Sequence, residues 1–491
     1  MARSRQFAHT QLYYSKAAFD IISMLREEGV ERLQNSGRTK SPSLGACIRK
    51  ITFGTHPKCL AAAFGIAVPK GLLELDVDEQ RRRRDHVCES YLDTYIPSFI
   101  PVLSSQPTIL PRLETLVLAN TGPIQRDMAE AIVSSTLQHL TLKRVQVDRG
   151  TRLAPDICKW RLKSLYLDLD LILSESNRAR IDKPASPLIG ELLSLAAPTL
   201  ERLAWIDIPN PGIPVVLADA QHKQHIFGQL KELMFRDPWK QDHGWLELLI
   251  QPQRCSLIRF VDISIDNYAI ADFLGRCGHL PKLEIFVCNG SPWHYLDLSF
   301  FDLSFFRANT HIQKLKVEYM EPSYLGELLP LLSKEFLNLT SLSLSWPMKS
   351  NHIPQRDLDH IAAIQSLKQL ELKGGLPPGS TWLIDHNAIL DCVQKLPNLQ
   401  RLAFSRDSYS GEDPGLERPS EGHWVEMVVI AAGYARKVPL LEWIFVGQLL
   451  ISIHRQPRCL GIEYLPPNEL SYFTYLNRVF GEDSEFFYRE W

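Results

Sequence analysis

Leu113-Glu-Thr-Leu116-Val-Leu118 is the stretch of this chain that decides its fold. The same order of leucine, two residues, apolar residue, one residue, apolar residue returns as Leu137-Gln-His-Leu140-Thr-Leu142 and as Leu162-Lys-Ser-Leu165-Tyr-Leu167. Self-similarity at a period of roughly 30 residues is typical of solenoids, in which each unit packs only on its neighbours. The repetition therefore predicts the architecture before any catalytic motif is considered.

The phrase can be followed from one end of the chain to the other. The intervals between successive units run from 24 to 42 residues, and the longer ones indicate insertions between repeats. Fourteen candidate units begin at the apolar anchors Ile48, Leu72, Leu113, Leu137, Leu162, Leu200, Leu230, Ile258, Leu283, Ile312, Leu339, Leu367, Leu399 and Leu441. So many units in order favour one elongated repeat domain.

Each phrase predicts a short strand, because its apolar residues alternate. Helical patterns follow several of them: Asp266 can cap a helix over Asn267–Cys277, and Ser186 with Pro187 can open one over Leu188–Ala197. Residues 357–364 and 386–396 have similar patterns. The predicted fold class is α/β, an irregular leucine-rich-repeat solenoid (horseshoe) with a parallel sheet on the concave side and helices outside.

Regular leucine-rich repeats place an asparagine three residues after the last strand anchor, where its amide bonds to turn backbone groups. Thr121, Val145 and Asp170 occupy those places here, so no asparagine ladder is expected. Open solenoid ends expose core and need caps. We expect an N-terminal helical cap over residues 1–40, including Ala17–Leu33, a solenoid over 41–455, and a C-terminal cap over 456–491, including Ser471–Tyr488.

Composition excludes several classes of protein. The chain has 491 residues and a formal net charge of −2, so it lacks the basic excess of a non-specific nucleic-acid binder. No apolar run follows the N-terminal residues, and the stretch Val438–Ile453 is too short and polar to span a bilayer. The nine cysteines include no Cys-x-x-Cys pair. We therefore expect an intracellular protein, cytoplasmic or nuclear, that does not bind membranes, and a nucleic-acid role would need a local basic stripe on the concave face.

The sequence carries no recognisable catalytic motif. The stretch Gly374–Thr381 has the glycine spacing of a phosphate loop, but Ser380 holds the lysine position and two prolines remove backbone donors. His222 and His225 have no third ligand at a telling distance, and Cys277 and Cys288 fit small core positions. We predict no catalytic residue, no metal site and no cofactor, and the chain is not expected to be an enzyme.

Partner-binding residues are expected on the concave sheet face, at the outward positions between buried anchors. Aromatic and arginine side chains commonly anchor interfaces, although any sheet also needs polar outward residues for solubility. The candidates are Tyr166, Asp168, Arg202, Glu232, Arg236, Asp262, Lys314, Lys316, Glu318 and Trp443.

The pattern over Ile48–Val446 resembles leucine-rich-repeat F-box proteins, particularly the divergent kind of filamentous fungi. Ser4-Arg-Gln-Phe-Ala-His-Thr-Gln-Leu-Tyr-Tyr14 is similar to the segment that closes the F-box of that family. The acidic-apolar opening of the module has no counterpart before it, so residues 1–40 are expected to hold at most a remnant of an F-box that is truncated or lost. In the family, the F-box binds the small adaptor of a cullin–RING ubiquitin ligase and the repeats hold the substrate.

The sequence thus predicts a protein-binding repeat scaffold with a protein partner on the concave face. The resemblance implies a substrate-recognition component linked to a ubiquitin ligase, which would bind the small adaptor if an upstream F-box exists. The alternative is a stand-alone leucine-rich-repeat interaction scaffold without a role in ubiquitination.

Overall fold

The structure is a computed structural model. It describes residues 8–13, 15–34, 44–54, 94–119, 121, 124–143, 145, 147, 151–153, 160–168, 187–206, 227–236, 246–250, 255–262, 268–289, 303–318, 322–346, 352–374, 382–405, 407–408, 421–447, 449–456 and 459–464. The chain divides into two compact units, Met1–Lys231 and Glu232–Trp491. Each unit is described by itself.

The first unit contains a parallel sheet whose strand order follows the chain order. Its strands are β1 (His9–Tyr13), β2 (Lys50–Gly54), β3 (Thr115–Ala119), β4 (His139–Lys143), β5 (Ser164–Asp168) and β6 (Arg202–Ile206). Its helices are α1 (Lys16–Gln34), α2 (Leu44–Cys47), α3 (Ile96–Ser104), α4 (Gln106–Ile109), α5 (Arg126–Ser134) and α6 (Pro187–Ala196).

The second unit repeats this plan. Its strands are β7 (Glu232–Arg236), β8 (Arg259–Asp262), β9 (Ile285–Asn289), β10 (Lys314–Glu318), β11 (Ser341–Trp346), β12 (Gln369–Gly374), β13 (Trp382–Leu383), β14 (Arg401–Ser405), β15 (Asp407–Ser408), β16 (Trp443–Val446), β17 (Leu449–Gln456) and β18 (Cys459–Tyr464). Its helices are α7 (Leu246–Leu249), α8 (Tyr268–Cys277), α9 (Ser304–Ala308), α10 (Pro322–Glu335), α11 (Gln355–Ala362), α12 (His386–Val393) and α13 (Glu421–Lys437).

Within the second unit the strand order is β7-β8-β9-β10-β11-β12-β14-β16-β17-β18, and β13 pairs with β15 separately. The strands are parallel as far as β16, after which β17 and β18 add antiparallel partners. Strands joined by helical crossovers and paired in chain order define an α/β solenoid. The predicted leucine-rich-repeat fold class, with a long parallel sheet and helices, is confirmed.

The anchors of the repeated phrase predict the strands closely. Thirteen of the fourteen stand one or two residues before a strand of the sheet. The fourteenth, Leu72, lies outside the described residues, and β2 pairs directly with β3. Alternate strand residues pack against the helices, as Phe53 does against Tyr95 and Phe99, and as Phe286 does against Phe305.

The four predicted helices are confirmed with bounds shifted by at most three residues, while the predicted capping residues Asp266 and Ser186 lie outside the described residues. The helix α12 begins after Asp385, whose carboxylate accepts hydrogen bonds from the backbone N–H groups of Asn387 and Ala388, each at 3.1 Å. These bonds satisfy two of the N–H groups that the first turn leaves without an intrahelical acceptor. Cys277 and Cys288 are buried thiols, as predicted.

Neighbouring repeats are joined by polar side chains at the turn between helix and strand. The buried Asn309 amide donates to the carbonyls of Gly278 and Phe305, and its oxygen accepts from the Leu280 N–H. Equivalent bonds, each from a side chain to the backbone of the preceding repeat, are Thr199 Oγ1 to Leu162 O, Ser366 Oγ to Leu339 O and Asn398 Nδ2 to Gln365 O. These bonds lie before the strands, whereas the asparagine of a regular repeat lies after them.

Two parts of the sheet were not anticipated. Within residues 8–13, predicted as part of a helical cap, the strand β1 pairs in parallel with β2 and buries Leu12. At the other end, β17 and β18 form an antiparallel hairpin across the predicted boundary at residue 456, and Gly447 makes the turn into β17 with a positive φ of 54°. The expected cap Ser471–Tyr488 lies outside the described residues.

Candidate partner-binding face

Nine of the ten predicted binding residues, all except Asp262, have strand positions on the sheet face that is turned away from the helices, called here the far face. Its side chains alternate with those that pack on helices, so it is defined by strand register. In the first unit it carries Lys50, Thr52, Thr115, Val117, His139, Thr141, Ser164, Tyr166, Asp168, Arg202 and Ala204. In the second unit it carries Glu232, Met234, Arg259, Lys314, Lys316, Ser341, Ser343, Gln369, Glu371, Arg401 and Trp443.

The first unit brings three predicted residues together. Tyr166 and Asp168 are alternate residues of β5, and Arg202 on the adjacent β6 stands in register with Ser164. Tyr166 is only 7% exposed and Asp168 only 8%, while Arg202 is half-buried. A partner would therefore meet Arg202 more readily than the two β5 side chains.

The second unit spreads its predicted residues widely. Lys314 and Lys316 are half-buried alternate residues of β10, Glu232 is half-buried on β7, and Trp443 is half-buried on β16. Four strand steps separate β10 from β16, which is roughly 19 Å at the usual interstrand spacing. The predicted residues of this unit therefore do not form one compact patch.

Three further candidates have described backbone only. Arg236 and Glu318 end the strands β7 and β10 at outward register positions, in line with the pattern of Glu232 and Lys314. Asp262 was predicted on the same face, but it pairs with Phe235 and Cys288, which occupy the buried, helix-side register. The shift arises because β8 starts one residue after its anchor Ile258, whereas the other strands start two residues after theirs.

Polar side chains that the sequence analysis did not single out also lie on the far face. Ser343 Oγ donates to the carboxylate of Glu371 at 2.5 Å, and Ser341 Oγ donates to Gln369 Oε1 at 3.4 Å, both between β11 and β12. His139 and Ser164 are a further pair, in register on β4 and β5. Each of these residues lies between the second and third anchors of the repeated phrase or just before the second anchor, and this position in the phrase could have identified it.

Among the described helix-side groups, the thiols of Cys277 and Cys392 are buried and the imidazole of His386 is half-buried. Burial raises the pKa of the Cys277 thiol to about 12 and that of Cys392 to about 12, so both remain protonated near neutral pH. Burial lowers the pKa of His386 to about 4, and its Nδ1 lies 3.0 Å from the hydroxyl of Tyr434. The His386 ring also contacts the rings of Phe404 and Tyr434 edge-on, and so takes part in packing between repeats.

Within the described ranges, no three His, Cys, Asp or Glu side chains stand together in a way that could hold a metal ion. His222 and His225 lie outside those ranges. Among the described helices, none is both long and apolar enough to cross a bilayer.

No protein-family model and no curated protein matches this chain. Among solved structures, an internalin (InlF) from Listeria monocytogenes is similar at 14% identity and a TM-score of 0.28. The match covers 69% of this chain and 75% of the internalin chain. The TLR13 chain of a TLR13–ssRNA13 complex is similar at 15% identity and a TM-score of 0.28, and covers 73% of this chain. The matched part is 40% of the TLR13 chain's length. At these levels neither structure says anything about the function of this chain.

Proposed function

We propose that the chain is a protein-binding repeat scaffold without catalytic activity, and that its binding residues lie on the far face. The observation that supports this is one row of the second unit. Lys314, Ser341, Gln369, Arg401 and Trp443 stand in register on β10, β11, β12, β14 and β16. Five neighbouring strands thus present cationic, amide, hydroxyl and aromatic groups along a line of roughly 19 Å.

This mixture suits recognition of a protein surface. Arginine and tryptophan are the residue types that most often dominate binding energy, because one forms forked hydrogen bonds and the other buries a large area. Lys314, Gln369, Arg401 and Trp443 are half-buried, so their stems are held by the chain and lose less entropy on binding. Affinity would come from a few of these side chains, and their neighbours would exclude water.

The test places a photo-crosslinking amino acid at Trp443 and, separately, at Val429, which is exposed on α13 at the helix side. Proteins captured through position 443 are identified and then titrated as purified pairs. The variants are Arg401→Glu and the matched control Val429→Ser. We expect Arg401→Glu to weaken binding at least tenfold and Val429→Ser to leave it unchanged. Equal affinity of both variants and the wild type would remove the far face from the proposal.

A finer form of the proposal makes the scaffold a substrate receptor linked to a ubiquitin ligase. Its support is the likeness of Arg5–Tyr14 to the segment that closes an F-box and leads into repeats. Leu12 of that segment is buried in β1, next to the first repeat strand. The test is a titration of this chain, and of any longer natural product, with the purified small adaptor of a cullin–RING ligase. If neither form of the chain binds the adaptor at micromolar concentration, the stand-alone scaffold is the remaining hypothesis.

A further inference from the structure

Two histidines of successive repeats in the second unit lie beside each other at the turns before β9 and β10. The ring centroids of His279 and His311 are 5.2 Å apart, and the angle between the two ring planes is 70°. His279 is exposed and His311 is half-buried, so solvent reaches the pair. Sequence spacing did not reveal the pair, because its members belong to different repeats that only the pairing of β9 with β10 brings together.

Both rings donate an N–H group to a backbone carbonyl of the other turn. His279 Nδ1 lies 2.7 Å from Ala308 O, and His311 Nε2 lies 3.0 Å from Leu280 O. A carbonyl oxygen only accepts, so the nitrogen that faces it carries the hydrogen in each neutral ring. The other nitrogens, His279 Nε2 and His311 Nδ1, therefore carry lone pairs. Neither of them makes a hydrogen bond to a described residue.

Metal-binding histidines usually have this arrangement. Such a ring donates one nitrogen to a carbonyl or a carboxylate, which fixes the tautomer and the orientation of the nitrogen that binds the metal. The separation of the rings agrees with a shared ion. Two imidazole nitrogens at about 2 Å from one tetrahedral ion place their ring centroids roughly 5 Å apart. The 5.2 Å between His279 and His311 matches this separation.

The two turns that carry the rings are already joined to each other. The Asn309 amide donates to Gly278 O at 2.9 Å, and its oxygen accepts from the Leu280 N–H at 2.8 Å. The rings are thus held near each other before an ion binds, which lowers the entropy cost of binding. Within the described ranges no third His, Cys, Asp or Glu completes a metal-binding group with the pair. The ion would therefore keep positions for water or for a ligand from another molecule.

We infer that His279 Nε2 and His311 Nδ1 bind one divalent transition-metal ion of the Zn²⁺ class, which links the two repeats. Imidazole nitrogen suits Zn²⁺, whereas Mg²⁺ and Ca²⁺ take oxygen ligands. The site lies at the turns before the strands and not on the far face. It is therefore independent of the proposed scaffold function.

The experiment is a titration of the full chain, labelled in its histidine rings, with ZnCl₂ near neutral pH, followed by NMR. The two ring signals are assigned by their loss in His279→Asn and His311→Gln. In these variants Asn Nδ2 can replace His Nδ1, and Gln Nε2 can replace His Nε2, so each keeps a donor for the carbonyl and loses the lone pair. We expect both signals to shift with one dissociation constant, to return when EDTA is added, and not to respond to MgCl₂.

The variants show whether the two nitrogens hold the same ion. In His311→Gln, the Zn²⁺ affinity measured from the His279 signal should fall roughly tenfold or more, and the converse should hold in His279→Asn. His360→Gln, which removes a half-buried histidine of α11, is the matched control and should leave the affinity unchanged. The other histidine signals report whether each variant keeps its fold. No shift with ZnCl₂, shifts at different Zn²⁺ concentrations, or an unchanged affinity in either variant would overturn the inference.

Discussion

Asn309→Ala is the substitution that most directly tests how the repeats are held together. The side chain is 0% exposed and makes three hydrogen bonds of 2.8 to 2.9 Å to backbone groups of Gly278, Leu280 and Phe305. Gly278 and Leu280 belong to the preceding repeat. Removing the amide leaves one buried N–H and two carbonyls without this partner.

The magnitude follows from these three bonds. A typical bond contributes about 1 kcal/mol net, and a buried group left unsatisfied costs about 1 to 3 kcal/mol. We therefore expect a destabilisation of about 3 to 5 kcal/mol, near the upper end of single substitutions. Asn398→Ala is the matched control, because its amide makes one 2.9 Å bond to Gln365 O at an exposed turn. Its expected cost is below about 1 kcal/mol.

Because the chain contains two compact units, one global unfolding curve need not describe it. Hydrogen exchange followed by mass spectrometry gives a local free energy of opening. Peptides that include Leu280 to Ile285 should lose protection in Asn309→Ala and keep it in Asn398→Ala. A loss below 1 kcal/mol in these peptides, or an equal loss in both variants, would refute the role given to this turn.

Three further predictions concern stability. Gly54→Ala should destabilise the chain by about 3 kcal/mol or more, because a Cβ there would lie 1.8 Å from a carbonyl oxygen of β3. Gly326→Ala on α10 is the control, since a Cβ there meets no other atom, and it should stabilise the chain by up to about 1 kcal/mol. Thermal melts compare the two variants. Burial holds the pKa of His386 at about 4, below its ordinary 6.5, so the unfolded chain binds the proton at a higher pH than the folded chain does. The free energy of unfolding should therefore fall by up to about 3 kcal/mol as the pH drops from 6.5 to 4. Urea titrations at pH 7 and pH 4.5 should show a smaller fall for His386→Asn, and an equal fall would contradict this. Trp346→Phe removes the N–H that donates to the buried Asp357 carboxylate at 3.1 Å, and should lower the free energy of unfolding by about 1 to 3 kcal/mol in thermal melts. Adding Asp357→Asn to Trp346→Phe should restore part of this loss.

The strands could be predicted because the repeated phrase fixes which residues must be buried. Leu140 and Leu142, for example, alternate on β4 and face the helices whatever the insertions do. The strand β1 escaped detection since His9–Tyr13 contains only Leu12 as a strong anchor. The hairpin of β17 and β18 was not predicted because a mostly apolar stretch such as Leu449–Ile453 gives no sign of strand direction.

The candidate binding residues were harder to predict than the strands. Period-two alternation places Tyr166 and Asp168 on the far face, but burial of that face is a tertiary property that alternation does not contain. The error at Asp262 has a different origin, since a strand that starts one residue early relative to its anchor changes the register of its end. A single-residue difference of this kind is invisible in a pattern whose spacing already varies.

The polar bonds between repeats lie apart from the far face that we propose for binding. In regular leucine-rich repeats a polar ladder follows each strand, whereas here Asn309, Ser366 and Asn398 hold adjacent repeats together before the strands begin. The backbone of the turns is thus satisfied without using far-face side chains. Far-face residues such as Arg401 take no part in the bonds described at these turns, and recognition of a partner through that face is what we propose. Substitutions at the turns should therefore change stability, and substitutions in the far-face rows should change binding.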